Sequence, residues 1–189
     1  IQKFLVLYGP PGSGKSTLLN IIQQLFEGYY SVFDAKALSS ASNQFALEAF
    51  KSNPLVAIQH DGDLSHIEDN TRLNSLVSHE TMVVNEKHKS LYETRFRSFL
   101  LLGSNKPVEI TDARSGILRR LIDVSPSGEK VPLKEYNKLV KQISFELGGI
   151  ACYCRDVYLA DPEYYDAYIP KAMMTVTNSF YNFMQELYA

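Results

Sequence analysis

The chain has 189 residues, a formal net charge of −2 and a hydrophobic content of 45%. These values are typical of a globular domain with a packed core and exclude a disordered chain. The slightly acidic balance also argues against a general nucleic-acid binder. No apolar run reaches the roughly 20 residues that a membrane helix needs, and no signal peptide is visible. We therefore expect a cytoplasmic protein with no membrane partner, and Cys152 and Cys154 predict no disulfide framework.

The most informative motif lies near the start of the chain, between a predicted strand and a predicted helix. Residues 4–8 form an apolar run typical of a buried strand, and residues 17–26 repeat apolar side chains at helical spacing. Between them the sequence matches G-x-x-x-x-G-K-[ST], which indicates a loop that binds the phosphates of ATP. We expect Lys15 to reach the β- and γ-phosphates and Ser16 to ligate Mg²⁺. The predicted nucleotide-binding residues are Gly9, Pro10, Pro11, Gly12, Ser13, Gly14, Lys15, Ser16 and Thr17.

Further along the chain, predicted strands alternate with predicted helices. The strands cover residues 30–34, 55–60, 99–105 and 120–124, and the helices cover residues 41–50, 67–78, a long segment from 132 onward, and 172–187. Residues 81–84 and 92–96 flank a polar turn, which predicts a β-hairpin. The alternation indicates an α/β fold with a parallel sheet and helices on both faces. We expect a P-loop ATPase core over residues 1–125 and a C-terminal helical extension over residues 126–189 that packs on it.

Polar residues follow two of the predicted strands, at positions where nucleotide hydrolysis needs them. Asp61 and Asp63 follow the strand over residues 55–60, and a carboxylate at such a tip can hold Mg²⁺ or orient the attacking water. Asp61 is the stronger candidate, although one of the pair can instead cap the next helix. Asn105 ends another strand, where an amide can hold water or contact the γ-phosphate, or simply serve a turn.

Basic residues are concentrated in the middle of the chain. Residues 85–120 contain eight Lys or Arg against four Asp or Glu, and the segments on either side are acidic. Lys87, His88 and Lys89 occupy the predicted hairpin turn, where lysines can bind nucleic-acid phosphates without reading sequence. The alternative is an exposed basic turn with no ligand.

Three arginines follow Asn105 within fifteen residues: Arg114, Arg119 and Arg120. Arginine stabilises the transition-state charge in phosphoryl transfer, either in cis or from a neighbouring subunit. The alternative is a salt-bridged surface arginine.

Taken in chain order, these features resemble the superfamily 3 helicases, a branch of the AAA+ ATPases. The phosphate loop, the acid-tipped strand, the lysine-bearing hairpin, the strand ending in Asn105 and the arginines occur here in that order. The similarity is strongest to the helicase part of phage, plasmid and poxvirus-type primase–helicases. It is carried by residues 14–17 with 28–30, and by residues 103–107 with Arg119 and Arg120. The similarity covers residues 1 to about 125.

The resemblance implies a Mg²⁺-dependent ATPase that forms a hexameric ring around single-stranded DNA. It implies that ATP sits between subunits and that Arg120 best matches the arginine supplied by the neighbour. It also implies that Lys87, His88 and Lys89 line the ring channel, and that a primase domain can precede this segment.

Two departures from the family pattern modify these expectations. Gly62 separates Asp61 and Asp63, whereas the family's acids are adjacent, so the division of their roles stays open. The chain begins at Ile1 directly before the first predicted strand, so we expect a piece of a longer protein. The oligomerising helical segment that the family carries before that strand is absent here, so we expect this piece to be monomeric or weakly associated. The alternatives to a DNA motor are a small-molecule kinase and an AAA+ type switch that loads or remodels a protein partner.

Overall fold

The computed structural model describes residues 1–40, 42–62, 70–107 and 116–177, together with residues 180, 183, 184 and 187. The strands are β1 (Phe4–Tyr8), β2 (Tyr30–Val32), β3 (Val56–Gln59), β4 (Thr81–Val84), β5 (Tyr92–Arg95), β6 (Phe99–Ser104) and β7 (Leu121–Val124). The α-helices are α1 (Lys15–Leu25), α2 (Ala35–Ser39), α3 (Thr71–Val77), α4 (Leu133–Ala160) and α5 (Lys171–Thr177), and short 3₁₀-helices cover Glu48–Phe50 and Leu118–Arg120.

Five strands form a parallel sheet in the order β2-β3-β6-β1-β7. β1 lies between β6 and β7, with Tyr8 opposite Ser104 and Leu7 opposite Val124. Because all five strands run in the same direction, their carboxyl ends meet at one edge of the sheet. The parallel α/β fold predicted from the alternation of elements is confirmed.

Two apolar clusters cover the two faces of the sheet, because successive side chains of a strand point to opposite faces. On one face, Phe4 and Val6 of β1 belong to the cluster that includes Leu73 of α3. On the other face, Leu7 of β1 packs with Leu19 of α1. The helices therefore lie on both faces, as the sequence predicts.

The predicted β-hairpin is confirmed as the antiparallel pair β4–β5. It is attached to the larger apolar cluster through Val84 and Phe96, which are both buried. The tip residues 87–90 are exposed.

The helix predicted over residues 41–50 is wrong. A short helix, α2, ends at Ser39, and turns lead from there to the 3₁₀-helix at Glu48–Phe50. The Arg72 guanidinium donates hydrogen bonds to the carbonyls of Ser40 (3.0 Å) and Asn43 (2.8 Å). The Asn43 side chain accepts from the Phe45 N–H. These side chains take the backbone groups that a helix would use for its own hydrogen bonds.

Helix α4 and the segment after it form the C-terminal part of the described structure. Near its start, α4 packs on α1, and the Tyr136 hydroxyl shares a 2.9 Å hydrogen bond with the Thr17 hydroxyl. After α4 the chain returns to β7, where the Tyr168 hydroxyl donates to the Asp123 carboxylate. Burial, together with that carboxylate, raises the pKa of Tyr168.

Cys152 and Cys154 are exposed on α4. No helix in the described residues has both the length and the apolar character to cross a membrane.

Gly103 in β6 allows β3 and β6 to approach closely at their carboxyl ends. A Cβ atom at this position would overlap the backbone carbonyl oxygen of His60, and the Gly62 N–H donates to the Gly103 carbonyl at 2.7 Å. The overlap would be with backbone atoms, so the steric clash of a new methyl group could be relieved only by moving a strand.

We therefore expect Gly103→Ala to lower the free energy of unfolding by about 1–3 kcal/mol, as overpacking does elsewhere. Urea unfolding measures the change. Gly148→Ala is the matched control, because a Cβ at Gly148 of α4 meets open space, and alanine in a helix interior adds up to about 1 kcal/mol of stability. Equal effects of the two substitutions would contradict the close approach of β3 and β6.

Candidate functional site

The glycine-rich loop joins the carboxyl end of β1 to the first turn of α1. Its first residue is tied to the neighbouring strand, since the Gly9 N–H donates to the Ser104 carbonyl at 3.1 Å. Its last glycine, Gly14, has a φ of +89°, in the left-handed region that glycine adopts without strain. The Gly14 carbonyl accepts from the Leu18 N–H at 3.0 Å. Helix α1 therefore begins directly at the loop and directs its positive dipole end toward it.

Lys15 lies inside this loop. Only 7% of its surface is exposed, and its ammonium group donates to the carbonyls of Gly9 (2.7 Å) and Pro10 (3.0 Å). A lysine ammonium group forms stronger hydrogen bonds with a phosphate anion than with neutral carbonyls such as these two. Lys15 is therefore positioned to bind phosphates within the loop.

A cavity of about 260 Å³ opens over the loop. Its lining consists of residues 12–17 and one residue from outside the motif, Tyr136 of α4. The Ser13 hydroxyl is buried without a hydrogen-bond partner, and Ser16 is exposed. An unpartnered buried hydroxyl beside a lysine, with backbone N–H groups at a helix start, fits a polyphosphate bound with Mg²⁺.

Two of the predicted strand-tip residues meet beside this edge of the sheet. The Asn105 amide donates to the Asp61 carboxylate at 3.2 Å, across the ends of β6 and β3. Asn105 sits in a turn held by Ser104, whose hydroxyl donates to the Lys106 carbonyl at 2.8 Å. The predicted partner of Asp61, Asp63, lies outside the described residues, so the division of roles between the two acids stays open.

Within the part of the chain that the structure describes, no cluster of three or more His, Cys, Asp or Glu side chains could enclose a metal ion. Mg²⁺ does not require one, because it commonly binds one or two protein oxygens together with phosphate oxygens and water. Among the described residues, the Ser16 hydroxyl and the Asp61 carboxylate are the predicted groups that could hold it here.

The three predicted arginines occupy the segment before β7, and Arg114 lies outside the described residues. Arg119 is exposed. Arg120 is half-buried and donates to the Ser78 hydroxyl (3.0 Å) and the Gly116 carbonyl (3.1 Å). Burial, and to a smaller extent the charge of Arg119, lower the pKa of the Arg120 guanidinium. The structure thus places Arg119 in contact with solvent and ties Arg120 to its own chain.

Of the three, the described residues Arg119 and Arg120 do not meet the phosphate loop within one chain. They precede β7, whereas the loop follows the parallel strand β1, so the two sites lie at opposite edges of the sheet. The four residues of β7 span roughly 13 Å between these edges.

The predicted nucleic-acid residues Lys87, His88 and Lys89 are exposed at the hairpin tip. Lys89 pairs with Glu86 at 2.8 Å, and Lys51 lies 3.8 Å from the same carboxylate. The Lys89 hydrogen bond holds the pKa of Glu86 below its usual range. The tip therefore carries an acid among its bases.

Two residues that contact this region are not predicted from the sequence. Tyr136 reaches the loop from α4, 119 positions after its partner Thr17. Lys3 is buried and donates to the Arg119 carbonyl at 2.6 Å, so it fixes the backbone from which Arg119 projects. Neither residue belongs to a motif, and both act through contacts distant in sequence.

Fold and loop together define a P-loop NTPase-like α/β domain. The chain belongs to a family of unknown function, DUF5906, whose model matches residues 7–120, more than half of the chain.

Solved structures support the fold assignment. An apo structure of the NrS-1 C-terminal region, in its A form, matches with a TM-score of 0.56 at 21% identity, over 76% of this chain and 34% of that one. Another apo structure, covering NrS-1 residues 305–718, gives a TM-score of 0.55 at 18% identity, over 77% and 36%. The chain therefore spans about a third of these NrS-1 structures. A structure of JCV helicase with a bound small molecule has a TM-score of 0.48 at 17% identity, over 76% and 42%, which is too slight a likeness to carry an argument.

The position of Lys15 gives a direct test of phosphate binding. We expect MgATP to raise the melting temperature of the wild-type chain and to leave that of Lys15→Ala unchanged. At a MgATP concentration one hundred times Kd, binding adds about 2.7 kcal/mol, and each kcal/mol raises the melting temperature of a chain this size by about 2–4 °C. Lys36→Ala, on the exposed surface of α2, is the control and should retain the full shift. An equal shift in Lys15→Ala would contradict this account of the loop.

Proposed function

We propose that this chain is the ATP-hydrolysing, Mg²⁺-dependent motor domain of a ring-forming DNA helicase that translocates on single-stranded DNA. The observation that carries the proposal is the arrangement at the carboxyl edge of the sheet. There, the phosphate loop, the buried Lys15 and the Asp61–Asn105 pair occupy neighbouring strand ends.

In this proposal each group has a separate task. Lys15 and the loop N–H groups bind the β- and γ-phosphates, and Ser16 and Asp61 hold Mg²⁺, which when bound neutralises phosphate charge. Asn105 and the second acid, Asp63, orient the water that attacks the γ-phosphate. The hydrogen bond between Asn105 and Asp61 supports this division, because it holds the amide beside the carboxylate before nucleotide binds.

The arginines act between subunits in this proposal. The distance of Arg119 and Arg120 from the loop of their own chain supports a role at the loop of a neighbour, as expected for a head-to-tail ring. Arg119 is the stronger candidate for the inserted group because it is exposed and its backbone is fixed by Lys3. Arg120, tied to Ser78 and Gly116, fits a role in positioning this segment.

The hairpin contacts DNA in this proposal. Exposed lysines at the tip of a two-stranded ribbon can bind successive phosphates without reading bases. Lys87 and His88 are exposed beside the Lys89–Glu86 pair. The hexameric ring and an upstream primase domain concern the longer protein and follow only from the family resemblance.

DNA-stimulated ATP turnover tests the motor proposal. We expect single-stranded DNA to stimulate turnover, and we expect Lys87→Ala/Lys89→Ala to lose the stimulation while keeping the basal rate. Each lost phosphate contact should also lower the slope of log affinity against log salt by about 0.7. The matched control is Lys134→Ala/Lys138→Ala, which removes two exposed lysines from α4.

Three results distinguish the alternatives. Loss of stimulation only in the hairpin variant supports the DNA motor. Turnover that ignores DNA in every variant would contradict it and favour an ATPase switch that remodels a protein partner. Equal loss in the hairpin and α4 variants would show that the hairpin has no special role.

A further inference from the structure

A second, larger cavity adjoins the phosphate cavity. Its volume is about 560 Å³, within the range of small-molecule sites. The two cavities share Gly12, Ser13, Gly14, Thr17 and Tyr136 in their linings. A molecule with its phosphates in the smaller cavity can therefore extend directly into the larger one.

The larger cavity is an apolar cleft between α1 and α4. Its walls carry large side chains that are unusually open to solvent: Leu18 (42% exposed), Val131 (47%), Tyr136 (38%), Leu139 (44%) and Val140 (36%). Covering these side chains removes apolar surface from water, which is favourable in proportion to area. A flat, mostly apolar ring fits such a cleft.

From these observations we propose that this cleft holds the nucleoside part of the bound nucleotide, with the base packed against Tyr136. The inference rests on the proposed function, because the same loop must bind the phosphates. Tyr136 is suited to the contact because its ring borders both cavities while its hydroxyl is held by Thr17 at 2.9 Å. One side chain of α4 thus borders both the phosphate cavity and the cleft proposed for the nucleoside.

The chemistry of the cleft determines which bases it accepts. Apart from loop residues and the paired hydroxyls of Thr17 and Tyr136, its polar side chains are Glu129 and Lys130, which are both exposed. A base is strongly selected only when buried polar groups lose their partners with the wrong one. Solvated side chains impose no such cost. The cleft should therefore bind ATP, GTP, CTP and UTP with affinities within about tenfold of one another.

Inorganic tripolyphosphate separates the two cavities in a binding experiment, because it has the phosphates and no nucleoside. Calorimetry with Mg²⁺ gives its Kd and those of the four nucleoside triphosphates. We expect every nucleotide to bind more tightly than tripolyphosphate, and Lys15→Ala to weaken them all. Stacking on an aromatic ring is worth enough that Tyr136→Ala should weaken nucleotide binding about tenfold.

Variants then assign the effect to the cleft. Leu139→Asn alters only the larger cavity, so it should weaken nucleotides and leave tripolyphosphate unchanged. Tyr136→Phe keeps the ring and should retain most of the nucleotide affinity. Tyr153→Ala is the matched control for Tyr136→Ala, since Tyr153 is 72% exposed further along α4 and lines neither cavity.

The outcomes separate this inference from the proposed function. Tripolyphosphate binding that depends on Lys15, with no gain from the nucleoside and no effect of Tyr136→Ala or Leu139→Asn, would overturn the inference alone. Preference for one base by clearly more than about tenfold would overturn base tolerance. Failure of the wild-type chain to bind any of these triphosphates would overturn both the inference and the proposed ATPase.

Discussion

The hydrogen bond from the Gly9 N–H to the Ser104 carbonyl fixes the geometry on which the candidate site depends. It ties the start of the phosphate loop to the end of β6, so the residue after Ser104 must lie beside the loop. Gly103 contributes to the same constraint because only a residue without a side chain lets β6 and the end of β3 come together. Asn105 and Asp61 then meet at 3.2 Å. Loop, amide and carboxylate are therefore neighbours because three parallel strands end together.

The same parallel arrangement separates the loop from the arginines. β1 and β7 are neighbouring parallel strands, yet the loop follows the carboxyl end of β1 whereas Arg119 precedes the amino end of β7. A single chain thus presents the glycine-rich loop on one edge and the exposed Arg119 on the other. Under the proposed function, copies stacked head to tail bring the arginine of one to the phosphate loop of the next, and such head-to-tail contacts can close into rings. In our account, catalysis therefore requires oligomerisation.

The sequence predicts those structural elements that are determined by residues close together in the chain. The loop, its flanking strand and helix, the hairpin around residues 85–90 and the polar tips at Asp61 and Asn105 all follow from short-range patterns, and the structure contains these elements. The helix predicted over residues 41–50 does not form, and the cause is physical, because Arg72 binds the carbonyls that a helix would need. Tyr136 and Lys3 could not be found in the same way, because their partners Thr17 and Arg119 lie 119 and 116 positions away.

Mixing two inactive variants tests the central claim, that the catalytic site is shared between copies, most directly. Lys15→Ala keeps Arg119 and loses the phosphate site, whereas Arg119→Ala keeps the phosphate site and loses the arginine, which in trans is worth roughly 10³–10⁵ in rate. Our account predicts that an equal mixture at high protein concentration, with single-stranded DNA and MgATP, recovers up to about a quarter of wild-type turnover, because one random interface in four is complete. A mixture that turns over ATP no faster than the two variants measured separately would contradict the account.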